Sequence, residues 1–307
     1  MKPDTHCHRR DGRWVAMLLC LACGPGGSAP VLDLPQRPSD APGGAEIARD
    51  IRILGLEARE ERIYNEVERG NVPAWLRRLR QVDMSGVVSG REHRVTFWVT
   101  PDYLAVGSDS DYFLVPLSAR TGQRIADLVG GYLPTPRMVN AIWSSAKVRL
   151  APIRIRPDEF MTTMRYFEHH DGLLKTQRMV YHGASAGVFV AGHKLDVVLT
   201  TTVSANPGKV ALYGWHLPDG RPIQSFFSTL FADSLVLFSQ GIRLVDGSVL
   251  ADGARQDLSD VLRDPELAPI LSHEGVIASA RYPVPAHGTV IEPPTSIWAR
   301  RGPRDSS

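Results

Sequence analysis

The sequence predicts an α+β fold: a single globular domain with a mixed or largely antiparallel sheet and flanking helices. Three observations carry that prediction. Short β-rich runs recur between turn residues, helix starts are marked by capping residues and prolines, and strands do not alternate with helices as a parallel βαβ sheet requires. With 307 residues, 43% of them hydrophobic, the chain has ample material for one core.

The elements follow in order. Residues 1–23 read as an export leader and residues 24–44 as a Pro/Gly/Ser-rich linker with almost nothing to bury. From Ala45, Ile47, Ile51, Leu54 and Ala58 recur at three- and four-residue spacing, which predicts one amphipathic helix ended by Gly70-Asn71. Pro73 opens a short helix over 74–79. Val95 to Val99, Tyr103 to Val106 and Tyr112 to Val115 predict three strands of an antiparallel meander, joined at Pro101-Asp102 and at Gly107 to Asp111. Asp109 and Asp111 read as turn geometry, because no bidentate Glu follows at calcium-loop spacing. Ser118 caps a helix stopped by Gly130-Gly131, and Thr135-Pro136 starts a second through Met138, Val139, Ile142 and Trp143; the pair is expected to cover one face of the sheet. Pro152 and Pro157 punctuate an extended stretch, which makes 150–160 a candidate subdomain junction. A helix over 173–181 and strands over 188–191, 195–201, 209–213 and 242–245 follow, with turns at Pro218-Asp219-Gly220 and Asp246-Gly247. Helices over 254–262 and 266–271 close a globular region expected over 45–290, leaving a flexible tail over 291–307.

The leader sets the expected location. Lys2, Arg9, Arg10 and Arg13 precede the apolar run Trp14 to Ala22, and Cys23 to Pro30 supplies small residues and helix breakers. The apolar run is far short of the roughly 20 residues a membrane span needs. The expectation is an exported protein: periplasmic, extracellular, or held at the membrane only through a lipid on Cys23. Leu21-Ala22-Cys23 resembles a lipoprotein signal end, so lipidation and simple cleavage both stay open.

All three cysteines (Cys7, Cys20, Cys23) fall in or at the end of this leader. The remainder therefore excludes a disulfide framework, a cysteine nucleophile and thiolate-bound zinc. The net charge of +2 equals the leader's excess of Lys2, Arg9, Arg10 and Arg13 over Asp4 and Asp11, so the rest is neutral. Nucleic acid needs a basic surplus or stripe and is not an expected partner.

Three groups carry candidate chemistry. Gly183 to Gly187 fits G-x-S-x-G, but a nucleophile elbow needs a strand entering and a helix leaving. Here the entering segment reads as helix and the leaving one as strand, so Ser185 is expected in a small-residue loop. Phe167-Glu168-His169-His170-Asp171 places adjacent histidines about 100° apart on a helix, unsuited to one ion, and reads as a polar helix start with Asp171 as its cap. The third group is the main candidate. Gly192-His193-Lys194-Leu195-Asp196 leads into one strand and Tyr213-Gly214-Trp215-His216 ends the next, so pairing would bring His193, Asp196 and His216 to one sheet edge. Two imidazoles and a carboxylate can act as a general base with its orienter, or hold a divalent metal such as zinc. Period two points 193 and 196 to opposite faces unless a bulge or turn intervenes. The catalytic expectation thus requires convergence within about 6 Å in an accessible cleft. Trp215, Ser239 and Arg243 are the expected substrate-binding neighbours.

Phe238-Ser239-Gln240-Gly241-Ile242-Arg243-Leu244 resembles the S-H-G-C-I-R-L motif of L,D-transpeptidases, whose cysteine attacks peptidoglycan stem peptides. Here the cysteine is absent and Gln240 stands at the histidine, so that reaction is not implied. Over Glu60 to Val245 the chain is similar to an uncharacterised group of bacterial exported proteins. The likeness rests on Gly192 to Val198, Lys209 to His216, Pro222-Ile223-Gln224 and Ser239 to Leu244. That group carries Y-V-D-Y-S-H-G-I-R-L where this chain has Leu237 and Gln240 at the Asp and His, and the resemblance implies no assigned activity. Two functions follow as expectations: a hydrolase of a cell-envelope or extracellular polymer using His193, Asp196 and His216, or a non-catalytic envelope binding protein or degenerate enzyme.

Overall fold

The computed structural model describes residues 29–156, 158–181, 183, 185–224 and 231–283. The leader with Cys23, Pro157, Ala184 and the tail over 291–307 lie outside the described residues. The fold is α+β, with one main hydrophobic core spanning helices and sheets.

The single helix expected from Ala45 is two: α1 (Gly44–Asp50), a 3-10 turn (Ile51–Ile53) and α2 (Leu56–Glu68). Gly55, extended at φ −64° and ψ 164°, turns the chain and re-phases the stripe. Ile47 and Ile51 are buried before it and Ile63 and Val67 after it, while Ala58 faces solvent. The Gly70-Asn71 ending is as expected: Gly70 N donates to Val67 O (2.9 Å) and Asn71 N to Glu66 O (2.8 Å), a Schellman closure. The expected linker is laid against this region over 30–43. Leu32 is buried, Arg77 donates to Leu34 O and Pro35 O, and Arg37 donates to Ala41 O, Pro42 O and Asn71 Oδ1, so arginine donors serve the segment's carbonyls.

Helix α3 (Ala74–Arg77) is shorter than expected because the chain passes directly into β1 (Arg80–Val88). That strand pairs antiparallel with β2 (Arg91–Val99) across a two-residue turn, Ser89-Gly90, at φ 50° and 81°. The expected meander is not formed. β3 (Ala105–Gly107) pairs only with β4 (Tyr112–Leu114), because the chain over 100–104 leaves the first sheet to bond Leu244 O and Ile242 O. Asp109 and Asp111 are turn residues whose carboxylates accept from Ala74 N (2.6 Å) and Ala45 N (3.0 Å), at the starts of α3 and α1.

Helices α4 (Ala119–Leu128) and α5 (Pro136–Ser145) are capped as expected by Ser118 and Thr135, each accepting at 3.2 Å from Thr121 N and Met138 N. Helix α4 packs on α2, whereas α5 packs on β1 and on a strand of the second large sheet described below. After β5 (Val148–Arg149), α6 (Met164–Val180) starts well before the expected residue 173, because Phe167, His170, Leu174 and Arg178 form one buried stripe. Asp171 is therefore inside the helix and not its cap; it accepts from Leu114 N and pairs with Lys175.

The remaining strands are β6 (Val190–Ala191), β7 (Leu195–Val197), β8 (Lys209–Val210), β9 (Leu212–His216), β10 (Pro222–Gln224), β11 (Phe231–Ala232), β12 (Gln240–Gly241), β13 (Ser248–Ala251) and β14 (Ala254–Asp257). The expected strand over 195–201 ends at Val197, since Thr200 caps α7 (Thr201–Ala205). The expected helix over 254–262 begins as β14, because Asp252-Gly253 makes a second hairpin with both residues at positive φ; only Leu258–Arg263 (α8) is helical, followed by α9 (Ala268–Leu271). One large sheet has the order β1-β2-β13-β14 and is antiparallel; the other, β10-β9-β7-β12, is mixed, with β12 parallel to β7. The packed strand of the second sheet is β9, so α5 sits between the two.

A buried charge network as candidate functional site

The second sheet assembles the site. β7 lies between β9 and β12, with Asp196 opposite Tyr213 on one side and Gly241 on the other. This is the pairing the sequence anticipated, and it brings His193 and His216 to the same end of the two strands. Trp215 Nε1 donates to His193 O at 3.2 Å across that end. Alternation is broken locally: Gly214 at φ 97° is followed by Trp215 at φ 56°, a left-handed pair that lets the strand turn around Asp196. A Cβ on Gly214 would stand 3.3 Å from Asp196 Oδ2 and 3.4 Å from His216 Cε1, so both side chains flank this one glycine.

His193 faces a different set of partners. Its Nε2 lies 3.2 Å from Asp102 Oδ1 and 3.1 Å from Arg178 Nη2, and Arg178 also pairs directly with Asp102. Tyr103 joins the two halves. Its ring meets His193 edge-on at 4.9 Å, and its hydroxyl donates to Asp196 Oδ2 at 2.8 Å. Arg243 stacks over Tyr103 at 4.3 Å, places Nε 3.8 Å from Asp196 Oδ1, and donates to Thr100 O and Val190 O. Lys194 turns away and donates to Phe238 O (3.0 Å) and Gln240 O (3.2 Å).

The electrostatics follow from burial. Desolvation pushes Asp196 up to about 7, against the pull of Arg243 and the Tyr103 hydroxyl. Burial lowers His193 to about 4 despite Asp102, and lowers His216 to about 4. Burial also brings Lys194 down to about 8. Asp102 departs in the other direction: burial works to raise it, but Arg178 and His193 together hold it well below the usual carboxylate range.

The expected site residues thus lie on adjoining strands, each with its own partners, and in the interior. His193, Asp196 and His216 are 0%, 2% and 2% exposed, Ser239 and Arg243 are also buried, and only Trp215 is half-exposed. His216 Nε2 lies 2.8 Å from Asn140 Oδ1, and its ring stacks on Trp143. Ser239 contributes its carbonyl to Leu195 N at 2.8 Å. Gln240, at the histidine position of both motifs, folds back on its own loop, accepting from Leu237 N and donating to Leu235 O. Among the described residues no three His, Cys, Asp or Glu side chains are grouped to hold a metal ion. The loop with Ser185 follows helix α6 and precedes β6, the order opposite to a nucleophile elbow.

Asp102, Tyr103, Arg178 and Asn140 complete the arrangement and were not singled out from the sequence. Asp102 stood in a turn signal and Arg178 in a helix; the weak hint was an Arg at the buried spacing of α6. Arg178 is also the network's contact with a surface cavity of about 300 Å³, shared with Ser110, Tyr112, Lys175, Met179 and Ser185. The chain matches no family model, no curated protein and no solved structure.

Proposed function

We propose that the protein is an exported envelope binding protein with an enzyme-derived fold, and that its His/Asp cluster supports structure and not turnover. One observation carries this reading. The three groups a hydrolase would need are buried, and the histidine nitrogens facing the network are engaged by Asn140, Asp102 and Arg178. A general base must reach its proton, and a hydrolytic metal needs an open coordination position. Leu237 and Gln240, standing where the similar group carries Asp and His, point the same way. The alternative hydrolase reading draws on Asp196, whose carboxyl is poised near neutral pH beside Tyr103.

The test incubates the full chain with insoluble cell-wall polymer and follows both co-sedimentation and release of soluble fragments. Binding without release, unchanged in Asp196→Asn, is expected. Release above background that disappears in Asp196→Asn would establish the hydrolase instead.

A further inference from the structure

Strand β1 ends the sheet β1-β2-β13-β14, and its nine residues run in unbroken register against β2. The two-residue turn Ser89-Gly90 makes Val88 and Arg91 a hydrogen-bonded pair, so the even-numbered residues of β1 turn both backbone groups to β2. The N–H and C=O groups of Gln81, Asp83, Ser85 and Val87 therefore point away from the sheet. Among the described residues no other element bonds them, and all four residues are exposed. Ile270 of α9 and Arg137 of α5 lie 3.1 and 4.0 Å from a Cβ built on Gly86, so both helices approach through the even-numbered face and not over the edge.

Natural sheet edges are guarded against pairing by proline, lysine or a bulge, and β1 has none of these. The charge in its middle is Asp83, whose carboxylate is already held by Thr96 Oγ1 (2.6 Å) and Gln81 Nε2 (3.0 Å). The edge is also complementary to itself. Antiparallel pairing about a two-fold axis sets outward residues against outward residues, and an axis at Asp83 would oppose two carboxylates. An axis at Met84, the central residue of the strand, pairs the whole of β1 and sets Asp83 opposite Ser85 and Gln81 opposite Val87 of the second copy. Arg94 is the β2 neighbour of Ser85, and its one ion pair is the exposed one with Glu92, so a cation stands just beyond the serine that each Asp83 meets. On the other face the half-buried Met84 meets its own counterpart.

We propose that two copies of the chain pair antiparallel through β1 with the two-fold axis at Met84, joining their four-stranded sheets into one of eight strands. This goes beyond the binding-protein reading and does not rest on it. Main-chain hydrogen bonds from Gln81, Asp83, Ser85 and Val87 hold the two copies, and the placement of Asp83 fixes the register.

Sedimentation velocity of the full chain over about 1 to 500 μM, the range in which a small interface associates, tests the proposal. A reversible, concentration-dependent dimer is expected. Ser85→Asp faces Arg94 within its own hairpin but Asp83 of the second copy across the axis. It should unfold at the wild-type temperature in dilute solution and weaken the dimer roughly tenfold, through two like-charge pairs. Met84→Cys should give a disulfide-linked dimer on mild oxidation, above the level of the parent chain with Cys7, Cys20 and Cys23, because a non-hydrogen-bonded pair brings its Cα atoms within disulfide reach. Val88→Cys, set opposite Arg80, should not. A monomer at every concentration overturns the proposal. So does a dimer that Ser85→Asp leaves at wild-type strength, or one that Val88→Cys cross-links as readily as Met84→Cys.

Discussion

At the scale of single residues, the network is held by pairs that cannot be broken from one side. Asp102 faces Arg178 and His193 in the interior, so removing its carboxylate leaves a guanidinium buried without a counter-charge. Such one-sided deletions cost about 3–5 kcal/mol, whereas replacing both partners by apolar groups is often nearly neutral. Asp102→Ala is therefore expected to lower the unfolding free energy by about that amount in urea melts. The pair Asp102→Ala with Arg178→Met should recover most of it. A double variant as unstable as the single one would show that the Asp102–Arg178 pair is not the cause. The same residues mark the limit of what the sequence reveals. His193, Asp196 and His216 were legible because two adjacent strands carry them and strand pairing is a local inference. Asp102 and Arg178 are 76 positions apart and meet only through the packing of α6 on the chain after β2, which no periodicity encodes.

At the scale of elements, the misread segments share a cause: a turn or break decided by one or two residues inside an otherwise plausible pattern. Gly55 splits one apparent helix, Thr200 converts a strand end into a helix cap, and Ser89-Gly90 and Asp252-Gly253 create hairpins whose strands alternate only weakly. Capped helices were legible, because Ser118 and Thr135 announce their own hydrogen bonds; strands of two or three residues were not. Glycine substitution separates these roles. Gly90 sits at φ 81° with no atom within 4 Å of an added Cβ, so any cost of Gly90→Ala is backbone strain alone, about 1–2 kcal/mol. Gly172 lies exposed inside α6 at ordinary helical geometry, again with nothing within 4 Å of an added Cβ. Gly172→Ala should stabilise by about 0.5–1 kcal/mol. Thermal melts of the two variants should move in opposite directions; a shift of the same sign would contradict the turn geometry or the helix.

At the scale of the whole molecule, the buried titratable groups set how stability depends on pH. His193 and His216 are lowered to about 4 and His170 to about 2, each chiefly by burial, from an ordinary 6.5. Between pH 4 and 6.5 the unfolded chain thus takes up protons on these histidines that the folded chain refuses, and stability rises with pH. Asp196 acts oppositely. Raised to about 7, it keeps its proton when folded and loses it when unfolded, so its contribution falls as pH rises from about 4 to 7. Glu60 and Asp171, also raised by burial, act with Asp196, and His273, lowered by burial, acts with the other histidines; the four histidines outnumber the three carboxyls, and each unbalanced proton is worth about 1.4 kcal/mol per pH unit. The urea midpoint is therefore expected to climb between pH 4.5 and 6.5. Two substitutions separate the opposing contributions. His216→Gln removes one refused proton and should flatten the climb, whereas Asp196→Asn removes the retained proton and should steepen it. A flat profile in the wild type, or Asp196→Asn with a shallower slope, would mean that these side chains titrate as if in water and that the interior is open to solvent. A steep, histidine-driven profile is the signature of a sealed network, in which no general base reaches a substrate's proton.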